Sequence, residues 1–134
     1  MLNLKFKNLD NLTRALKQKE GEFWVETGRQ MALSLFHETA EKVPAYGKFL
    51  KKKGIRPERI KTISDFESVP TVDKKNYLKF YSLKELCFDG DISKLDVISV
   101  SSGSSGDPFF WPRSFAQNQE AILSHELFLT DSFN

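Results

Sequence analysis

A serine- and glycine-rich loop is the part of this sequence best suited to chemistry. The loop consists of Ser101, Ser102, Gly103, Ser104, Ser105, Gly106, Asp107 and Pro108. Glycines permit the turns that direct successive backbone N–H groups at an anion, and serine hydroxyls add hydrogen-bond donors without bulk. The composition therefore predicts a loop that binds phosphate.

The spacing of the glycines excludes two common phosphate loops. A Walker loop needs Gly-Lys followed by Ser or Thr, and the dinucleotide motif needs Gly-x-Gly-x-x-Gly. Residues 101–108 contain neither pattern. A flexible spacer, of the kind used as a cloning linker, is the alternative interpretation of the same residues.

The segments around the loop predict two strands and a helix. Residues 95–101 are rich in apolar and β-branched side chains, which favours a strand that ends at the loop. Residues 109–111, Phe-Phe-Trp, predict a second strand. Ser114 is expected to cap a helix over residues 115–129.

The chain before the loop predicts mostly helix. Periodic apolar residues indicate helices over 10–20, 23–42 and 46–53, and a further short helix is expected over 73–80. We therefore predict an α/β fold in one partial domain over 1–134. Residues 1–94 would form a helical region, and residues 95–134 would form strand, loop, strand and helix.

Composition and charge narrow the function class. The 134 residues are 40% hydrophobic and 28% charged, as in globular proteins, and the net charge is only +2. So small a charge does not predict general attraction to nucleic acid or to anionic lipid. The single cysteine, Cys87, indicates a reducing, cytoplasmic setting. Because the sequence has no long apolar run, we expect no secretory signal and no membrane span.

One local basic stretch departs from this balance. Its members are Lys48, Lys51, Lys52, Lys53, Arg56, Arg59 and Lys61, opposed by Glu58 alone. Nucleic-acid binding is one interpretation of this stretch, but no aromatic stacking platform interleaves with the cations. We therefore expect a solvated helix end and no nucleic-acid partner.

The loop also resembles that of a known family. Residues 101–108 are similar to the phosphate loop of the acyl-adenylate-forming enzymes. The shared pattern is two hydroxyl residues, Gly, two hydroxyl residues, Gly, any residue and Pro. Three upstream segments, residues 43–46, 63–70 and 73–75, resemble elements of the phenylacetate-CoA ligase branch. They occur in the family's order, and the resemblance spans roughly residues 23–129.

The resemblance implies an enzyme that joins a carboxylate to a thiol. ATP and Mg²⁺ would support formation of an acyl-adenylate, and CoA would then displace AMP. In this chain, the serine hydroxyls of the loop would contact phosphate, Gly103 and Gly106 would supply backbone freedom, and Pro108 would lead into the second strand. The resemblance assigns no catalytic residue and no metal ligand to this chain.

The sequence departs from the family in two ways. Family loops usually carry Lys beside the Pro, whereas Asp107 and Phe109 flank it here, and Arg113 is the nearest cation downstream. The family's later motifs, including its adenine-side, ribose-binding and C-terminal lysine elements, are absent from residues 1–134. We therefore expect the N-terminal part of a ligase, inactive alone and prone to self-association.

Two alternatives stay open at this point. The same front end would suit an acyl-protein synthetase, which passes the acyl group to a protein thiol. The chain could instead be a helical interaction module whose loop is only a surface turn. The sequence identifies neither the acid substrate nor the acyl acceptor.

Overall fold

The computed structural model describes residues 9–101 and 108–133. Within these ranges the protein is mixed α/β, with five α-helices and one two-stranded antiparallel sheet. The described residues divide into two compact units. Residues 19–92 form the helical unit, and residues 9–18 together with 93–133 form the hairpin unit.

The helical unit contains three α-helices and three short 3-10 turns. The helices are α2 (Gly21–Lys42), α3 (Pro44–Lys52) and α4 (Ile63–Glu67). The 3-10 turns are Pro57–Arg59, Leu78–Phe80 and Phe88–Gly90. The predicted helices over 23–42 and 46–53 are therefore confirmed. In the structure each helix begins two residues before its predicted start.

Proline and glycine set the limits of α2 and α3. Pro44 is the first residue of α3, and it forces Val43 into an extended conformation between the two helices. The Val43 N–H still donates to the Thr39 carbonyl at 2.9 Å, which closes α2. After α3 the chain reverses at Gly54, whose φ of 71° is the left-handed conformation that glycine adopts readily.

The core of the helical unit lies around α3. Phe36 of α2, Ala45, Phe49 and Leu50 of α3, and Tyr77 are all buried. Phe36 meets Phe66 of α4 edge to face at 5.5 Å, and Phe49 meets Tyr77 in the same way at 5.5 Å. Aromatic packing of this kind fixes the positions of short elements that have little stability of their own.

The segment 73–80 is not the α-helix that the sequence predicts. The Asp73 carboxylate accepts hydrogen bonds from the N–H groups of Lys75 and Asn76, at 2.6 and 2.7 Å. These are the bonds of a helix N-cap, but the turn does not continue as an α-helix. Tyr77 has φ −137° and ψ −65°, and the Leu78 N–H donates to the Asp73 carbonyl five residues earlier. The backbone makes a turn and then the 3-10 turn Leu78–Phe80, with Tyr77 directed into the core.

The hairpin unit contains α1 (Leu9–Gln18), β1 (Leu95–Ser101), β2 (Phe109–Ser114) and α5 (Phe115–Phe133). β1 and β2 pair antiparallel, and α5 contacts both strands and α1. The predicted first strand is confirmed at both ends. The Ser114 cap is also confirmed, because the Gln117 N–H donates to Ser114 Oγ and the Ser114 N–H donates to Gln117 Oε1, at 3.4 and 3.0 Å.

Candidate functional site: the serine and glycine loop

The candidate loop lies at the closed end of the β1–β2 hairpin. Ser101, the last residue of β1, pairs with Phe109, the first residue of β2. The register runs without interruption from this pair to Val97 opposite Arg113. The two ends of the motif are therefore held at the spacing of neighbouring strands, about 5 Å.

Ser101 secures this end of the hairpin with its side chain. Its hydroxyl accepts a hydrogen bond from the Phe109 N–H at 3.1 Å and donates to the Phe109 carbonyl at 3.4 Å. The hydroxyl is partly buried, and its proton is directed at a protein acceptor. In this conformation Ser101 closes the hairpin, a role that the sequence analysis did not anticipate.

The central residues of the predicted site lie outside the described residues. They are Ser102, Gly103, Ser104, Ser105 and Gly106, together with Asp107. Pro108 is described and is exposed immediately before β2. Of the predicted site residues, the structure therefore describes Ser101 and Pro108, at the two ends of the loop.

Positive charge on the described part of the hairpin is remote from the loop. Arg113 lies four residues along β2 from Phe109, which corresponds to about 13 Å at the usual rise of a strand. It is half-buried and pairs with Val97 near the other end of the sheet. A triphosphate at the loop would need its countercharge from other groups.

The two faces of the hairpin differ in their packing. Phe109 and Trp111 lie on one face and touch edge to face, with ring centroids 4.7 Å apart. On the opposite face Ile98, Val100 and Phe110 are each 52–57% exposed, and Val100 is paired directly with Phe110. The hairpin thus presents an apolar sheet face beside the candidate loop.

Of the three upstream segments named in the sequence analysis, 43–46 and 63–70 contribute side chains to the helical core, whereas Asp73 and Lys75 are exposed. Val43 and Ala45 are buried at the start of α3. Thr62 caps α4 in a capping box with Asp65: the Thr62 N–H donates to Asp65 Oδ2 at 2.8 Å, and the Asp65 N–H donates to Thr62 Oγ1 at 3.2 Å. The sequence analysis missed Thr62, although Thr-x-x-Asp is a recognisable capping pattern. These segments have structural roles here.

The perturbed ionisable groups also have structural explanations. Glu85 accepts hydrogen bonds from Lys48 Nζ at 2.6 Å and from Ser82, and the lysine and serine donors lower the pKa of Glu85 to about 2. Burial raises the pKa of Tyr77 to about 12 and raises that of the Cys87 thiol. A buried, protonated thiol is a poor nucleophile, which agrees with the expectation that Cys87 packs as a small apolar residue.

Neither a metal-ligand cluster nor a membrane-spanning helix is present in the described ranges. No three His, Cys, Asp or Glu side chains in residues 9–101 and 108–133 lie together as a metal-ion ligand set. Among those same residues, none of the helices combines the length and apolar character needed to cross a membrane.

Comparison with known proteins adds no relative. Nothing matches the chain among family models, curated proteins or solved structures.

Proposed function

We propose that this chain is the N-terminal part of an ATP-dependent carboxylate-CoA ligase of the phenylacetate-CoA ligase type, and that it contributes the loop for the ATP phosphates. One observation carries the proposal. The sequence Ser-Ser-Gly-Ser-Ser-Gly-Asp-Pro connects two paired antiparallel strands, so that strand pairing holds both of its ends.

The chemistry of the loop suits a polyphosphate. Three serine hydroxyls after Ser101 and the backbone N–H groups of two glycines can donate hydrogen bonds, and phosphate oxygens accept them. Ser102, Ser104 and Ser105 would donate hydroxyl protons, and Gly103 and Gly106 would let the backbone N–H groups approach. Ser101 would contribute by holding the hairpin closed, through its two hydrogen bonds to Phe109.

The loop would act by positioning and electrostatics. It would orient the β- and γ-phosphates while the carboxylate of the acid substrate attacks the α-phosphorus, with pyrophosphate as the leaving group. We assign no residue of this chain to Mg²⁺ or CoA, which other parts of the ligase would bind. Alone, the chain would be inactive, and the missing countercharge beside Asp107 would also come from the rest of the enzyme.

The test is ATP–pyrophosphate exchange that depends on an added carboxylate, measured in the full-length protein with a broad panel of acids. Gly103→Ala and Gly106→Ala should abolish most of the exchange, because a methyl group restricts the backbone of a phosphate loop. Gly28→Ala is the matched control, since a Cβ at Gly28 meets nothing within 4 Å. Absence of exchange with every acid, or full exchange in both loop variants, would refute the proposal.

The acyl acceptor separates two versions of this function. A carboxylate-CoA ligase releases an acyl-CoA, whereas an acyl-protein synthetase would leave the acyl group on a protein cysteine. To distinguish the two, each acid that supports exchange is supplied together with CoA. Mass spectrometry then shows whether the acyl group is on CoA or on a protein cysteine. An interaction module is the alternative in a different class, and it predicts no exchange at all.

The isolated chain should self-associate through its exposed sheet face. Ile98, Val100 and Phe110 form an apolar face on a two-stranded sheet, and sheets of two strands are marginal in water unless they pack on something. Light scattering at increasing concentration should show oligomers of the native chain and a lower association in Val100→Thr, which keeps the β-branched shape. A monomer at high concentration would contradict this expectation.

A further inference from the structure

The helical unit carries a strongly basic segment that begins in the last turn of α3 and runs toward α4. The segment is residues 51–61, and its basic side chains are those of Lys51, Lys52, Lys53, Arg56, Arg59 and Lys61. All six residues are exposed, and Glu58 is the one acidic residue among 51–61. A dense group of solvent-exposed cations in a short length of chain attracts phosphate groups, with an affinity that falls as salt rises.

Tertiary folding brings an exposed aromatic ring to this segment. Phe80 is 70% exposed, the largest fraction among the exposed large apolar side chains of the described residues. The Nζ atom of Lys52 lies 6.0 Å from the centre of the Phe80 ring. Phe49, the aromatic residue within the basic stretch of sequence, is buried, so the stretch by itself offers no stacking platform. Phe80 supplies an exposed ring from a later part of the chain.

The backbone under Phe80 is well anchored. The Phe80 N–H donates to the Tyr77 carbonyl at 3.0 Å, and the Leu78 N–H donates to the Asp73 carbonyl at 3.1 Å. Tyr77 itself is buried in the core, with its ring against Phe49. The exposed ring therefore projects from a fixed turn, so that little order is lost when another ring stacks on it.

We propose that Phe80 and the basic segment form a binding surface for single-stranded nucleic acid. A base stacks on the Phe80 ring, and Lys52 and its cationic neighbours contact the flanking phosphates. Single strands are bound in general by this pairing of an aromatic platform with a positively charged surface, because every base has a π face and every linkage a charge. An acidic peptide would satisfy the cations and leave the exposed ring unused. This activity is independent of the ligase proposal, since the surface belongs to the helical unit alone.

The experiment compares two ligands that differ only in their bases. One is a fluorescently labelled strand of twelve deoxyadenosines, and the other is an abasic strand of the same length and charge. Fluorescence anisotropy measures the affinity of the full chain for each at several salt concentrations. We expect the adenine strand to bind at least roughly fivefold more tightly, since stacking of one base is worth about that factor or more.

Two substitutions locate the surface. Phe80→Ala should remove the preference for the adenine strand, whereas Phe128→Ala, at a phenylalanine 68% exposed in the hairpin unit, should preserve it. Lys52→Gln should weaken both ligands and reduce the salt slope by about 0.7. Because Phe80 and Lys52 are exposed, circular dichroism should show the fold of each variant unchanged.

Three results would overturn the proposal. They are absence of binding at low salt, equal affinity for the adenine and abasic strands, and an adenine preference that survives in Phe80→Ala. Equal binding of an acidic peptide of matched charge would assign the surface to protein partners instead.

Discussion

Ser101→Ala tests whether the first serine of the motif holds the hairpin closed. The substitution deletes a hydroxyl that accepts from the Phe109 N–H at 3.1 Å and donates to the Phe109 carbonyl at 3.4 Å. The first distance is within the usual range for a hydrogen bond, and the second is long enough to be weak. One good hydrogen bond contributes ~0.5–1.5 kcal/mol net, so we expect the free energy of unfolding to fall by about 1 kcal/mol.

The assay needs a probe in the hairpin unit. The chain has two tryptophans, Trp24 in the helical unit and Trp111 in β2, so Trp24→Phe leaves Trp111 as the only one. In that background, urea unfolding followed by tryptophan fluorescence reports on the hairpin. Ser99→Ala is the matched control, because Ser99 is also half-buried and lies two residues earlier on the same face of β1.

The comparison of the two serine variants decides the outcome. Ser101→Ala should be less stable than Ser99→Ala by about 1 kcal/mol. Equal stability of the two variants would refute the role assigned to the Ser101 hydroxyl. It would also leave Ser101 available as a phosphate donor on the same terms as the other serines of the loop.

Three further outcomes follow from the helical unit. Gly54→Ala should lower the free energy of unfolding by about 1–2 kcal/mol because φ is 71° there, whereas Gly28→Ala in α2 should raise it by up to about 1 kcal/mol. Chemical denaturation measures both changes, and the same sign for the two variants would contradict this reasoning. Because the pKa of Glu85 is low, its carboxylate stabilises the fold at pH values above the ordinary pKa of 4.5, and this stabilisation is lost as the pH falls toward about 2. Glu85→Gln should flatten that part of a plot of unfolding free energy against pH, and an unchanged plot would count against the ion pair with Lys48. Cys87 is buried with a raised pKa, so a thiol reagent should label it more slowly in the native chain than in urea, and equal rates would show that it is accessible.

Local sequence signals predicted the elements whose causes are local. The β-branched run before the loop predicted β1 with both of its ends, and Pro44 and Gly54 predicted where α2 and α3 stop. Such signals act through the backbone of the residue itself or of its neighbour. They are therefore readable without knowledge of the rest of the fold.

Longer-range contacts explain where prediction failed. Residues 73–80 have helical spacing, but Tyr77 is buried in the core with a non-helical φ of −137°, so the segment forms a turn instead of an α-helix. The burial of Tyr77 depends on Phe49 and Tyr46, which are far away in sequence. No window of sequence around Asp73 contains that information.

The candidate loop shows the same division. Its residue types and its position between two segments that favour strands are properties of the sequence alone. The engagement of the Ser101 hydroxyl by Phe109, and the distance of Arg113 along β2, depend on the register of the hairpin. Register is set by pairing between strands, which a single strand cannot specify.

The sequence by itself determined α1, α2, α3 and α5, the strand that precedes the loop and the donor chemistry of the loop, because each depends on neighbouring residues. Only the tertiary structure decided which side chains are neighbours in space. It directed the Ser101 hydroxyl to Phe109 and brought Lys52 beside the exposed ring of Phe80. The physical reason is that packing and strand pairing join residues far apart in the chain, and those contacts decide which polar and aromatic groups are left available to a ligand.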